Sequence, residues 1–237
     1  MWQQRNPARR ERDRRASSGR TQRKQLFDKG LLQVPDDSLP AWATFFEVPL
    51  DPADVNAMRS HLMVPGCGEK TRRRYGFTHS ATLGAGRWMS HQQSSQVFRP
   101  EQQEIGMQRI AQAVRDGARQ YLQPLDFKHT FLLSEPGAGA QLMHLDFDPS
   151  ELAKPASAGA CLGFYNISES PATLGVMVDD CTRTISYQNG LIVPGNTVHW
   201  GTANETASNC VRLQLSGVPV GHDGTKLRGS GSIYKQW

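Results

Sequence analysis

Two imidazoles and a carboxylate can hold a divalent transition metal, and this chain carries such a set in β-type surroundings. His144 and Asp146 flank Leu145 in the segment QLMHLDF, residues Gln141–Phe147. Side chains two apart in a strand share a face, so His144 and Asp146 point together and Leu145 points away. A third ligand has to come from elsewhere. His199, in VPGNTVHWGT, is the candidate, 53 residues after Asp146. Ligands gathered on one side of a metal leave positions open on the other, which suits reaction rather than scaffolding. Arg212 follows 13 residues after His199, inside the apolar run CVRLQLSGV. There Val211, Leu213 and Leu215 alternate with Arg212, Gln214 and Ser216. An unpaired guanidinium is costly to bury, so Arg212 calls for an anion or water. His129 and the pair His222-Asp223 are competing ligands. His129 lies on a segment ahead of a Pro/Gly turn, and His222 lies in a Gly-rich tail.

These residues need elements to hold them. Ala43–Leu50 reads as a short strand. Asp51-Pro52 reads as an N-cap with Pro in the first turn, opening a helix to about Met63. Residues 64–99 show no clear period. Pro100 opens a helix to Gln123, with Met107, Ile110, Ala111, Val114, Ala118, Tyr121 and Leu122 as its apolar stripe. After Pro124 the pattern changes to short apolar runs between turn clusters. The candidate strands are Phe127–Leu133, Gln141–Phe147, Ala160–Ile167, Thr173–Val178, Thr182–Tyr187, Leu191–Val193 and Cys210–Val218. Asn189-Gly190 between two of them is a hairpin signal. Many short strands predict a mainly β fold, a sandwich, jelly roll or barrel, with flanking helices.

The order HxD, distal His, then a basic residue on the last strand resembles the Fe(II)/2-oxoglutarate-dependent dioxygenases, over about residues 127–220. HTFLLSEPGAGAQLMHLDF is similar to the family's strand, turn and ligand-bearing strand, and NGLIVPGNTVHWGT to the element that delivers the second His. The fold this implies is the double-stranded β-helix, a jelly roll related to the cupins. The resemblance implies that His144, Asp146 and His199 bind Fe(II). It implies that Arg212 pairs with the far carboxylate of 2-oxoglutarate, as a planar fork does well. Gln214 or Ser216, on the same face, would help hold the cosubstrate, and Tyr165 and Asn166 would line its pocket. O2 is the remaining reactant, and the implied reaction hydroxylates or demethylates a substrate. The chain departs from each subfamily pattern. Gln214 stands where many small-molecule members have Ser, Arg212 where prolyl-hydroxylase types have Lys, and no second Arg accompanies Arg212 in its strand as in nucleic-acid demethylases.

Composition bounds the rest. The chain has 237 residues, 38% hydrophobic, with a net charge of +5. That is enough apolar material for one large core. Residues 1–30 hold ten basic groups against three acids, a net +7, while the remainder nets −2. The expected organisation is a basic, disordered arm over 1–39, a jelly-roll domain over 40–220, and a loosely ordered Gly-rich tail over 221–237. The arm, with Lys70, Arg72, Arg73 and Arg74, tilts the substrate toward nucleic acid, because basic groups bind phosphates without regard to sequence. A protein or small-molecule substrate is the near competitor. A different class also fits the arm and the strands: a non-enzymatic, capsid-like jelly roll. It leaves His144, Asp146, His199 and Arg212 without a role. No long apolar run predicts a membrane span, and no secretion signal is read, so an intracellular protein is expected. Cys67, Cys161, Cys181 and Cys210 lack CxxC spacing and are read as buried free thiols.

Overall fold

A computed structural model describes residues 43–64, 66–79, 84–92, 98–121, 125–154, 157, 159–178, 181–222 and 228–233. The basic arm lies outside these residues. The strands form two antiparallel sheets. The larger has seven: β1 (Thr44–Phe46), β2 (Thr78–His79), β3 (Arg87–Gln92), β4 (Leu125–Ser134), β6 (Cys161–Asn166), β9 (Gly190–Pro194) and β11 (Cys210–Pro219). Its spatial order is β1-β9-β6-β11-β4-β3-β2. The smaller has β5 (His144–Phe147), β7 (Ala172–Val178), β8 (Cys181–Tyr187), β10 (His199–Gly201) and β12 (Arg228–Ile233), in the order β12-β5-β10-β7-β8. The chain passes repeatedly from one sheet to the other, which makes the pair a jelly roll.

Alternation decides what each face of the large sheet meets. On β11, Val211, Leu213 and Leu215 are fully buried and face the helices. They pack with Phe131 and Leu133 of β4, and with Ile110, Val114 and Ala118 of a long helix. Burying each Leu or Val contributes roughly 1.5–3 kcal/mol. The other face looks into the space between the sheets. Around β6 and β9 that space is filled by Leu162, Phe164, Leu191 and Val193 against Leu174, Val176, Ile185 and Tyr187. Around β11 it is polar, as described below.

The helices follow the sequence with one break. Helix α1 (Pro52–Leu62) is capped by the Asp51 carboxylate, which accepts from the Ala53 amide at 2.8 Å. Asn209 in turn donates to the Leu62 carbonyl at 2.6 Å, closing its far end. The expected Pro100–Gln123 helix is two helices, α3 (Pro100–Glu104) and α4 (Met107–Tyr121). Gly106 between them has φ +74°, and a Cβ there would lie 2.5 Å from the Asp54 side chain. Asp54 uses that close approach to accept from Arg109 Nε at 2.8 Å.

Three other expectations are corrected. The stretch 64–99, read as patternless, contains α2 (Glu69–Arg74), β2 and β3. Its arginines are not a free basic patch. Arg72 is buried, pairs with Glu135 and stacks 4.5 Å over Trp88. Arg73 meets Glu69 at 2.6 Å and Arg74 meets Glu104 at 3.7 Å. The tail beyond 220 is not uniformly loose, because β12 pairs with β5 and extends the small sheet. The cysteines are free but not all buried, since Cys181 is exposed and Cys210 half-buried. Among the described residues, no helix is long and apolar enough to cross a membrane. A short helix, α5 (Pro149–Leu152), follows β5.

Candidate active site

Strand pairing brings the three candidate ligands together. His199 opens β10 directly opposite His144 on β5, and the two rings stand 4.5 Å apart. Asp146, two residues along β5, shares the face of His144. Its Oδ1 lies 3.5 Å from His144 Nε2, and its Oδ2 lies 3.6 Å from His199 Nε2. One ligand atom from each residue falls within 4.8 Å of the others. His199 is buried; His144 and Asp146 are half-buried, so the cluster sits at an accessible edge of the polar space.

Each imidazole is oriented by its own backbone. His144 Nδ1 lies 2.8 Å from the Leu142 carbonyl, and His199 Nδ1 lies 3.1 Å from the Thr197 carbonyl. A carbonyl only accepts, so Nδ1 carries the proton in both rings and Nε2 presents a lone pair. Burial pushes the His199 pKa down, the nearby Asp146 opposing it, so the ring stays in its neutral, ligating form. Phe164 packs on the same ring at 5.5 Å. Two aimed imidazole nitrogens and a carboxylate within this span fit a first-row divalent ion held on one side.

Asp146 has its own support. Gln214 Nε2, from β11 across the barrel, donates to Asp146 Oδ2. Gln214 was expected to help hold a cosubstrate, and its amide is committed to the carboxylate instead. Such a partner fixes a ligating oxygen and tunes its basicity.

The remaining expected residues divide. Arg212 lies on the inward face of β11, buried, with Nη1 donating to the Thr173 carbonyl at 3.3 Å. Tyr187 stands beside the guanidinium, and Arg212 Nε has no partner among the described residues. No carboxylate among the described residues pairs with it. Asp179 and Asp180, weighed as partners from sequence, lie outside those residues. Ser216 is on the same face but four residues along β11, roughly 13 Å from Arg212 at 3.3 Å per residue, too far to share one carboxylate with it. Tyr165 faces the wrong way. Alternation on β6 turns Phe164 inward and Tyr165 toward the helices, where its ring lies 5.7 Å from Phe46 and its hydroxyl donates to the Val48 carbonyl at 2.8 Å. Asn166 is spent on its own turn, donating to the Ser170 carbonyl at 2.9 Å. The competing histidines stay out of the cluster. His129 stacks on Phe98 at 5.5 Å on the helix side, and His222 lies 3.2 Å from Ser157 Oγ.

Sequence reasoning missed Arg87. It sits on β3 in the inward register, paired with Ser134 of β4, and is buried. The only signal was the alternation of Arg87 and Met89 with Trp88 and Ser90, too short to stand out after the glycine-rich Gly84–Gly86 turn. A cavity of about 720 Å3 also opens where β11 begins, lined by the 168–173 and 202–210 segments and by α1. Arg212 reaches this cavity; the His-Asp-His cluster does not.

No family model and no curated protein matches the sequence. Solved structures do match the fold. One is a prolyl hydroxylase from Trichoplax adhaerens in complex with a hypoxia inducible factor oxygen degradation domain peptide fragment. It shares 8% identity, covers 91% of this chain and 94% of its own, and has a TM-score of 0.52. Another is HygX from Streptomyces hygroscopicus with nickel, 2-oxoglutarate and hygromycin B bound. It shares 10% identity over 82% of this chain and 93% of its own, at a TM-score of 0.50. This chain therefore shares its jelly-roll architecture with these solved structures.

Proposed function

We infer that this protein is an Fe(II)- and 2-oxoglutarate-dependent oxygenase that hydroxylates or demethylates its substrate. One observation carries the reading. A His-Asp-His cluster meets the strand of a buried Arg that has no carboxylate partner among the described residues: Gln214, two residues along β11 from Arg212, reaches Asp146. His144, Asp146 and His199 would hold the iron, and Arg212 would take the far carboxylate of 2-oxoglutarate. When bound with O2, this pair supplies oxidative decarboxylation of the cosubstrate coupled to oxidation of the substrate. The chain's own residues prepare that chemistry. Backbone carbonyls at Leu142 and Thr197 keep both Nε2 atoms unprotonated. Gln214 orients the Asp146 carboxylate. Phe164 keeps water off one side of His199. Arg212 offers a cation that no carboxylate among the described residues neutralises.

The capsid-like alternative accounts for none of these four positions. The substrate is open among peptides, small molecules and nucleic acids. The Lys70–Arg74 segment offers no free basic patch for nucleic acid, because its three arginines are paired with Glu. What supports that substrate is the net +7 of residues 1–30. Deleting the arm should weaken binding to a polyanion and flatten its salt dependence, with metal binding intact.

The decisive test is titration of 2-oxoglutarate into metal-loaded protein, wild type against Arg212→Ala. Charge-assisted bonds to a buried partner contribute about 1.5–3 kcal/mol. The variant should bind roughly 10- to 150-fold more weakly, at about 1.4 kcal/mol per decade. Metal affinity should persist, since Arg212 is not a ligand. Arg212→Lys should recover only part, because a point charge replaces a fork. Equal affinity in wild type and Arg212→Ala would overturn the reading. Succinate release on addition of Fe(II) and 2-oxoglutarate, screened over methylated nucleic acids, peptides and small molecules, would then identify the substrate.

A further inference from the structure

Arg87 is the most heavily engaged polar side chain in the barrel, and none of its partners is an acid. Its Nε donates to the Gly139 carbonyl at 3.2 Å, and Nη2 donates to the same carbonyl at 2.7 Å. Nη2 also donates to the carbonyl of Thr202 at 2.6 Å and more weakly to that of Gly201 at 3.4 Å. Nη1 donates to Ser134 Oγ at 2.9 Å. Only 2% of the residue is exposed. Gly139 precedes the strand that carries His144 and Asp146. Gly201 and Thr202 end the strand that carries His199. One guanidinium thus ties together the approaches to both metal-bearing strands.

It also stands beside Arg212. A Cβ placed on Gly201 would lie 2.9 Å from Arg87 Nη1 and 3.0 Å from Arg212 Nη2, so the bare glycine is what lets the two cations approach the same point. Burial first, and the neighbouring Arg212 second, lower the Arg87 pKa to about 10, which leaves it charged at neutral pH. Two buried cations repel, and each is held in place by carbonyls rather than by a protein carboxylate. Arg87 has little room to move, with its acceptors on three chain segments. Arg212 has one carbonyl bond and the Tyr187 hydroxyl beside it, with no partner for Nε among the described residues, so it is the less firmly anchored member of the pair.

The geometry points to Arg87 as a positioning residue that sets how deep in the barrel Arg212 holds its guanidinium, and so which chain length of 2-oxo dicarboxylate the site accepts. This rests on the oxygenase reading above. Arg87 does not touch the cosubstrate. It acts through the like charge that presses on Arg212 and through the Gly201–Thr202 carbonyls that shape the space around it. A neutral residue at 87 relaxes Arg212 and blurs the distance between the anchor and the metal.

The test uses full-length protein loaded with Mn(II), without turnover. Affinities for 2-oxoglutarate and for its one-carbon-longer homologue, 2-oxoadipate, are measured in wild type, Arg87→Gln and Arg87→Lys, together with Mn(II) affinity and melting temperature. Arg87→Gln should lower the preference for 2-oxoglutarate over 2-oxoadipate by at least about fivefold, roughly 0.7 of a decade or more in the ratio of constants. Arg87→Lys should retain part of that preference, since it keeps the charge and loses the fork. A merely structural role predicts that both affinities fall together, with a lower melting temperature and an unchanged ratio. That outcome, or a wild-type ratio in Arg87→Gln, overturns the inference. Should Arg87→Gln unfold, the ratio in Arg87→Lys and in Ser134→Ala, which frees Nη1, decides it: an unchanged ratio in both overturns the proposal. An Arg212→Ala variant that binds 2-oxoglutarate like wild type would instead sink the oxygenase reading, so the two failures are distinct.

Discussion

Along β11 and β4 the two faces of the large sheet are made by the same strands and differ in almost everything else. On the helix side, β11 contributes Val211, Leu213 and Leu215, all fully buried, and β4 contributes Phe131 and Leu133. On the inward side the same strands contribute Arg212, Gln214 and Ser134, which meet Arg87, Asp146 and Thr173. The first face buries apolar area and needs no geometry beyond close packing. The second face buries cations and amides whose bonds must be made one by one. Stability therefore belongs mainly to the first face and chemistry to the second, a few ångströms apart through one backbone.

That division is broken most severely by removing one of the residues proposed to hold the metal. His199→Ala deletes an imidazole nitrogen from a cluster spanning 4.8 Å. Partners that only orient ligands already cost roughly 10- to 100-fold in affinity when lost. Losing the ligand itself should cost more than that, measured by Mn(II) titration, while the helix-side core keeps the fold. A variant that bound Mn(II) normally would place the metal elsewhere.

The opposite experiment is Leu213→Ala. Leu213 is fully buried between β11 and the helices, one residue from both Arg212 and Gln214. Truncating a buried Leu costs about 2–5 kcal/mol, the transfer energy plus the cavity. Denaturant unfolding should show that loss, and Mn(II) affinity at low temperature should stay within a few-fold of wild type. A large loss of metal affinity in the folded variant would mean that the two faces are coupled.

Gln214→Leu sharpens the comparison from within the polar face. The amide that holds Asp146 is replaced by an apolar side chain of similar size. Metal affinity should fall by roughly 10- to 100-fold, as for other outer partners of a ligating carboxylate. Stability should change little, because the lost bond is exchanged for apolar burial. Unchanged affinity would mean that Asp146 needs no help from β11.

How much of this was legible follows the same line. β11 was readable because its alternation runs unbroken from Val211 to Ser216, so the facing of Arg212 came from the sequence directly. The HxD pair was readable for the same reason, since one strand places both residues. The direction of Tyr165 was not, because Gly163, Phe164 and Tyr165 give no polar–apolar contrast in a strand buried on both faces. Arg87 was hidden in a six-residue strand near the sheet edge, where pairing with β4 rather than local pattern makes the strand. β12 exists through its pairing with β5, and a Gly- and Ser-rich segment carries no such signal. The break at Gly106 depends on Asp54, a contact across 52 residues of chain.

The smallest expected effect compares two buried histidines, one on each side of this division. His199 has Asp146 and the Thr197 carbonyl to receive a proton's charge. His129, inward neither in register nor in contacts, is 5% exposed, stacks on Phe98, and has no partner for either ring nitrogen among the described residues. Burial first, and the Arg115 cation second, push its pKa down to about 4. A histidine in the unfolded chain titrates near 6.5, so between these values the unfolded state binds the proton and the folded state does not. His129 therefore contributes nothing to the pH dependence above about 6.5 and costs stability increasingly as pH falls toward 4. One pH unit below 6.5 that cost is about 1.4 kcal/mol. His129→Phe keeps a flat ring against Phe98 and removes the titration. In metal-free protein, the stability difference between pH 7.5 and pH 5.5 should shrink by about that amount in the variant. An unchanged difference would show that His129 takes up its proton in the folded state, and that the helix side of the sheet is less dry than its residues make it.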